Sequence, residues 1–461
     1  MTSPDQTSAG GIDHGKRRSA LAHAVAAPIL LMGNGHRPRN LPMSTVPFRQ
    51  DSTFLYFTGC NEPGAAVLIT ETESTLYLPT PADDDALWHG TSATIEETGA
   101  MLGFAAVRPA DRLEHDAGAL DGLVTIAVPD LAQTLRASRM VGQPLSYGQD
   151  NGDPVLIDAI IRMRRILSDA EMEAMKAAAA VTRDAHIAAM TATKPGTSEQ
   201  RIAAAFHDVV MQSGLTLAYP SIVTVRGEVL HNFRYTNTLA AGDLLLLDGG
   251  AESPLGYATD VTRTWPVSGA FTPRQKAAYE AVLASQLAGI GMVRTGTRYR
   301  DIHTQCSLVI AQFLADEGLI RCSPEDAVAT GAHALFFPHG VGHLIGLDVH
   351  DLENFGDTAA YGPGRTRSEQ FGTGYLRLDL DLEAGMVVTI EPGFYIVPAI
   401  LHDPTLRERF SNAVDFAAAE QWVGFGGIRI EDDVAATDHG PDVITQGIPK
   451  TVAELESTIG R

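Results

Sequence analysis

Acidic residues stand at the ends of apolar stretches in the second half of this chain. "LLLLDGG" closes on Asp248 before a Gly-Gly turn, and Asp260 follows twelve residues later in "ATDVTRTW". "TIEPGFY" places Glu391 ahead of a Pro-Gly turn, and "GIRIEDD" carries Glu431 within what reads as a strand. Between them, "HGVGHLIGLDVHD" (residues 339–351) holds His339, His343 and His350. Any one acid has an ordinary explanation. Asp248 suits a turn, and Glu431 can pair with Arg429, which strand alternation puts on the same face. Four together are harder to dismiss, because an ionised carboxylate is costly to bury without a partner. Several carboxylates and one imidazole suit hard divalent cations, Mn2+ first, with Co2+ and Zn2+ admissible. Four carboxylates neutralise two such ions, and a pair about 3.5–4 Å apart activates water near neutral pH and polarises a carbonyl. The residues by themselves reach a metal-assisted hydrolase.

The elements that must position these groups follow from local signals. Ser168 with Glu171 forms a capping box for a helix running to about Thr193, where Pro195-Gly196 stops it. Thr197 with Gln200 reads as the start of a second helix, ending at Gly214. Thr272, Pro273 and Gln275 open a third, and a fourth spans about Arg300 to Glu317. "SIVTV", "LLLLDGG", "ATDVTRTWPV", "MVVTIEPGFYIV" and "GIRIEDDVAAT" read as strands among them, giving helices on a mostly antiparallel sheet. His339 and His343 have helical spacing, but glycines at 340, 342 and 346 make turn and strand the better reading. Ahead of residue 166 the pattern changes. A helix before "PILLMG" is followed by "TFLYFTG", "AAVLIT", "STLYLPT" and "LVTIAVP", all read as short strands of an α/β domain over residues 14–165. Residues 166–461 form the catalytic part, and residues 1–13 read as a disordered tail.

The bulk numbers bound the partners. The chain has 461 residues, 34 Lys and Arg against 56 Asp and Glu, and a formal charge of −22. Nucleic acid and anionic membrane attract basic surfaces, so neither is expected as a partner. Cys60, Cys306 and Cys322 are far apart with no C-x-x-C pair, which favours a reducing cytoplasm. No apolar run approaches the roughly 18 residues of a membrane helix.

The set "LLLLDGG", "ATDVTRTW", "PHGVGHLIGLDVHD", "TIEPGFY" and "GGIRIEDD" resembles, in order, the pita-bread metallopeptidases of the Xaa-Pro branch, aminopeptidase P and prolidase. "RNLPMSTVPFRQDSTFLYFTGCNEPGAAVLI" is similar to that branch's N-terminal domain, so the resemblance covers roughly residues 20–445. It implies an α+β protein, with a smaller N-terminal α/β domain and a C-terminal pita-bread (creatinase/aminopeptidase) domain. It also implies two metal ions, with Asp248 chelating one and Asp260 and Glu431 bridging both. His343 and Glu391 would complete the second metal's shell, and Glu391 would shuttle a proton to the leaving nitrogen. His231 in "VLHNF", His339 and His350 match the family's substrate histidines, and Arg429 would hold their network. The implied substrates are peptides with proline second, and the implied assembly is a homodimer or homotetramer. Trp88 in "DDALWHG" is a candidate for contact between subunits.

Within the branch the signals diverge. "FRQDSTFLYFTGCNEP" looks like aminopeptidase P, which removes one residue from longer peptides. Arg377 in "YLRLDLDLEAGM" falls where prolidases carry an arginine for the dipeptide's carboxylate, a task a guanidinium fork suits. The stretch from Leu352 to Leu382 includes "YGPGRTRSEQFGTG", a loop-like insert able to restrict access. The reading is an Xaa-Pro aminopeptidase, with a dipeptidase as the alternative. A metal-free binding module or creatinase-like protein would lack some of the five ligands. His207, His303 and His333 match no motif and read as ordinary helix or loop residues.

Overall fold

The computed structural model describes residues 11–460 apart from Pro42, Asp83 and Asp150. Most of the expected tail, residues 1–10, lies outside the described residues, and Asp13 belongs to a helix start, its Oδ1 accepting from Lys16 N at 2.9 Å. The chain forms two units, one ending at Arg164 and including Leu352–Ala359, the other comprising Arg165–Asp351 and Ala360–Arg461.

The first unit is built on a five-stranded sheet in the order Ala106–Pro109, Ser74–Leu78, Ala66–Ile69, Ile29–Met32 and Val124–Thr125. Ile29–Met32 runs antiparallel to Ala66–Ile69 and parallel to Val124–Thr125. Leu30, Met32, Leu68, Tyr77, Leu113 and Ala137 form its core. "TFLYFTG" is not a strand: Ser52–Thr58 is helical and almost wholly buried. Asp51 Oδ1 accepts from Phe54 N at 2.8 Å, and Gly59 ends the helix at φ 65°. An N-cap and a left-handed glycine decide the conformation where four consecutive apolar and aromatic residues, Phe54 to Phe57, leave the period undecided.

The second unit carries four long helices, Asp169–Ala192, Glu199–Gln212, Pro273–Met292 and Tyr299–Asp316, packed as two successive pairs. The first begins as expected: Glu171 Oε2 accepts from both Ser168 N and Ser168 Oγ at 2.7 Å. The second begins one residue later than expected, because Ser198 rather than Thr197 caps Arg201 N, at 3.3 Å. The strand ladders among the described residues of this unit are all antiparallel. Leu244–Asp248 lies between Thr262–Pro266 and Ile222–Thr224, while Asp432–Thr437 lies between Val387–Ile390 and Gly440–Val443. Gly393–Tyr395 pairs separately with Gly427–Arg429. Leu245, Leu247, Val387, Val388 and Ile390 have no exposure, so each strand is anchored beneath the acid that follows it or lies nearby.

"HGVGHLIGLDVHD" contains no helix, as its glycines predict, but the expected strand reduces to one bridge between Leu344 and Val388. Gly342 stands at φ 151°, where a β-carbon would collide with the Thr389 carbonyl and the Tyr299 hydroxyl. That contact brings the chain against the Val387–Ile390 strand, with Thr389 N donating to the His343 carbonyl at 2.9 Å and Glu391 N to that of Val341 at 2.8 Å. No helix among the described residues is long and apolar enough to cross a membrane.

Candidate active site

Asp248 is the last residue of its strand and pairs with Thr262, so Asp260 lies just before the neighbouring strand rather than within it. Glu431, expected inside a strand, occupies a short break between Gly427–Arg429 and Asp432–Thr437. Glu391 occupies the matching break after Val387–Ile390. The four acids and His343 converge. Asp248, Asp260 and Glu431 each offer an atom within 4.8 Å of the others, and so do His343, Glu391 and Glu431. A third set joins Asp260, His343 and His350. His343 Nε2 is 3.5 Å from Asp260 Oδ2 and 3.6 Å from Glu391 Oε1. His343 Nδ1 lies 3.0 Å from the Leu344 carbonyl, which assigns the proton to Nδ1 and leaves the Nε2 lone pair facing the acids.

Exposure is 8% at Asp248, 5% at Asp260, 2% at Glu431 and 1% at His343. Burial raises Asp248 to about 6, with Asp260 adding to the rise and Arg429 opposing it. Burial likewise raises Glu391 to about 7, opposed by His343 and Arg429. Burial, then Asp260 and Glu391, push Glu431 well above the carboxylate range. At Asp260 burial also pushes upward but is outweighed by the hydrogen bond and charge of His343, and the net shift is downward. Against these four carboxylates stands Arg429, whose Nη2 sits 2.6 Å from Asp248 Oδ2. Such a shortage of positive charge among oxygen donors, with one imidazole lone pair aimed at them, fits divalent metal ions.

The remaining expected residues surround this cluster. Arg429 Nε donates to Thr262 Oγ1 at 3.0 Å and Nη1 to Tyr395 Oη at 3.2 Å. His339 Nδ1 is 2.7 Å from the Gly340 carbonyl, so Nε2 accepts from Tyr395 Oη at 2.9 Å. Burial, then Arg429, holds His339 down to about 3, a neutral ring. His350 packs edge-on to His343 with ring centroids 4.5 Å apart. Arg377 Nη1 and Nη2 each lie 3.1 Å from a ring nitrogen of His350, the pairing a guanidinium makes when it lies along an imidazole. Burial, then His343 and Arg377, lowers His350 to about 3. His231 stacks on Phe233 at 6.3 Å, and burial followed by the charges of Arg429 and Arg377 lowers it. Arg377 thus lies against His350, at the side of the cluster.

Sequence reasoning passed over three groups. Tyr219 Oη donates to Asp248 Oδ1 at 2.6 Å and also bonds Asp260. Thr262 Oγ1 donates to Glu431 Oε2 at 2.6 Å. Tyr395 joins Arg429 to His339. Tyr395 and Thr262 lie inside quoted motifs and could be found by asking which hydroxyls face the acids; nothing in the sequence marks Tyr219.

Residues 173–438 match the model of metallopeptidase family M24, and residues 14–121 match the aminopeptidase P N-terminal domain. The chain belongs to metallopeptidase family M24, with the pita-bread fold in its catalytic unit and an aminopeptidase P-type domain ahead of it. It is 31% identical over 428 residues to a probable Xaa-Pro aminopeptidase of Pyricularia oryzae, covering 89% of this chain and 87% of that protein. It is 30% identical over 447 residues to the human Xaa-Pro dipeptidase, covering 93% and 88%. The solved structure of Pseudomonas aeruginosa aminopeptidase PepP superposes with a TM-score of 0.79 at 29% identity, covering 96% of this chain and 97% of that one.

Proposed function

We propose that this chain is a metal-dependent Xaa-Pro aminopeptidase, hydrolysing the bond between an N-terminal residue and a following proline. The observation that carries this is the convergence of four carboxylates, Asp248, Asp260 and Glu431 buried and Glu391 partly so, on His343, in a chain of metallopeptidase family M24. Asp248, Asp260, His343, Glu391 and Glu431 would hold two divalent ions, Mn2+ by preference of an oxygen-rich set. Bound there, the ions supply an activated water and Lewis-acid polarisation of the scissile carbonyl.

The protein's own groups do the rest. Glu391 Oε1 takes the proton of the attacking water and returns it to the proline nitrogen as that nitrogen leaves. His231 and His350 orient the substrate carbonyl and stabilise the tetrahedral intermediate, while His339, both ring nitrogens engaged by Gly340 and Tyr395, supports the substrate's surroundings. The Gly340 carbonyl fixes the tautomer of His339, Tyr395 donates to its Nε2, and Arg429 holds Tyr395 and Asp248 in register. Proline dictates the rest of the design. Its amide has no N–H and it restricts the preceding residue, so strand-like binding fails and a dedicated pocket is required. The acidic surface and absence of paired cysteines support a cytoplasmic protein acting on peptides, assembled as a homodimer or homotetramer, with Trp88, 60% exposed, at the contact between subunits.

A second reading, an Xaa-Pro dipeptidase, is favoured by Arg377, whose guanidinium against His350 is able to receive a carboxylate directly following proline. The test compares an Xaa-Pro dipeptide with an Xaa-Pro-Yaa-Yaa tetrapeptide on Mn2+-loaded enzyme. Good cleavage of the tetrapeptide supports the aminopeptidase, and cleavage of the dipeptide alone decides for the dipeptidase. No cleavage of either, with metal bound, would sink both.

A further inference from the structure

Two residues beyond Arg377, the buried Asp379 anchors a cluster of charges. Asp379 has no exposure and accepts a fork from Arg298, Nε to Oδ1 at 2.6 Å and Nη2 to Oδ2 at 2.7 Å. Arg300 Nη2 is 3.0 Å from Asp379 Oδ2 and also reaches the Thr366 carbonyl at 3.2 Å. The third arginine comes from the loop that precedes Arg377. Arg365 Nη1 donates to the Asp379 carbonyl at 2.9 Å, and its Nη2 bonds both Asp381 oxygens at 2.8 Å.

The same loop fastens the other flank of Arg377. Tyr361 Oη and Arg367 Nη1 donate to the Leu376 carbonyl, at 2.7 and 3.0 Å. Asp379 N donates to the Ala360 carbonyl at 2.8 Å, closing the loop where it began. Leu376, Leu378 and Leu380 are buried around this segment. The backbone on each side of Arg377 is therefore held by side chains of residues 361–367, while its guanidinium lies on His350.

We propose that Arg365 and Tyr361 are positioning residues for Arg377, so that the 361–376 loop sets how strongly the enzyme favours substrates whose carboxylate directly follows proline. This rests on the reading of Arg377 as a carboxylate receptor. Arg365 is the informative site to change. Arg298 and Arg300 remain on Asp379 when it is removed, so no buried carboxylate is stranded.

The test uses the full-length Mn2+-loaded enzyme with an Xaa-Pro dipeptide and an Xaa-Pro-Yaa-Yaa tetrapeptide. Arg377→Ala removes a charge-assisted contact and should raise the dipeptide KM roughly 10–100-fold. Arg365→Ala loosens that contact without deleting it and should raise the dipeptide KM roughly 3–10-fold, leaving kcat and the tetrapeptide KM within about twofold. Arg365→Lys should recover part of the loss. Tyr361→Phe, which removes one hydroxyl, gives the same split if Arg365→Ala fails to fold. If Arg377→Ala raises the dipeptide KM and neither loop variant does, the positioning role is overturned and the receptor reading stands. If Arg377→Ala changes nothing, the receptor reading falls and the positioning role with it. Equal losses on both substrates, or a loss confined to kcat, also overturn the proposal.

Discussion

Without metal, the site should work against the fold, and Glu391→Gln should therefore stabilise the metal-free protein. Burial raises the folded Glu391 carboxyl from an ordinary 4.5 to about 7. The sign follows from which state holds the proton. Between those values the unfolded chain has lost a proton that the folded chain keeps, so stability falls as pH rises through the window. The penalty is absent below the unfolded value and complete above the folded one. At about 1.4 kcal/mol per unit, roughly 2.5 units give a ceiling of about 3 kcal/mol. The side chain is 15% exposed, and water relieves part of the cost, which brings the expected gain to ~2 kcal/mol, or roughly 3 °C in a unit of this size. The assay is thermal unfolding of chelator-stripped wild type and variant at pH 8 and pH 5. The variant should melt higher at pH 8, with the gap more than halved at pH 5. Added Mn2+ should reverse the order, since binding to the native state stabilises the wild type. An equal melting point at pH 8, or a gap independent of pH, would refute the reasoning.

The remaining predictions concern neighbouring groups. Asp260→Ala and Glu431→Ala should each lose bound metal and Xaa-Pro cleavage together, measured by elemental analysis and peptide assay; near-normal turnover in either contradicts the two-metal reading. Tyr219→Phe, which removes the hydroxyl shared by Asp248 and Asp260, should weaken metal affinity roughly 10–100-fold in chelator competition, and unchanged affinity would make that hydroxyl irrelevant to the ligands. His303 has both ring nitrogens buried without a hydrogen-bond partner among the described residues, and burial, then His333 and Arg300, lowers it to about 3. Its depressed folded pKa makes stability complete above the unfolded value near 6.5 and lost as pH falls below it. His303→Phe should therefore gain on the wild type by about 2 kcal/mol between pH 7 and pH 5 in denaturant titration, and a constant difference would refute this.

The long helices were legible because their starts are chemical. Thr272, Pro273 and Gln275 specify one beginning, and in the structure Thr272 N donates to Gln275 Oε1 at 3.0 Å. Ser52–Thr58 was not legible as a helix, since its threonines and aromatics fit a strand equally well until Asp51 and Gly59 are weighed. The acids were visible as misfits at apolar strand ends, but their meeting was not, because proximity between residues 248 and 431 is a property of pairing and not of spacing. Tyr219 and the Asp379 cluster lay beyond sequence reasoning for the same reason. Each joins segments far apart in the chain, and Tyr, Arg and Asp at those positions look like ordinary surface residues until the fold buries them.

The errors at Asp260 and Glu431 carry the structural logic of the site. Both motifs read as strands, yet Asp260 lies just before its strand and Glu431 in the gap between two. Ile390 pairs with Asp432 in one sheet and Gly393 with Arg429 in another, so two antiparallel chains leave one sheet and enter the next at the same level. Glu391 and Glu431 occupy the facing gaps. In an unbroken ladder the N–H of Glu431 would bond its strand partner and its side chain would alternate with its neighbours. In the gap that N–H turns to the Thr262 carbonyl at 3.0 Å, tying the break to the strand that follows Asp260. Thr262 then returns its own hydroxyl to the Glu431 carboxylate. The backbone donor freed by leaving one sheet thus joins it to another, and this joint lets acids from separate sheets aim at one point.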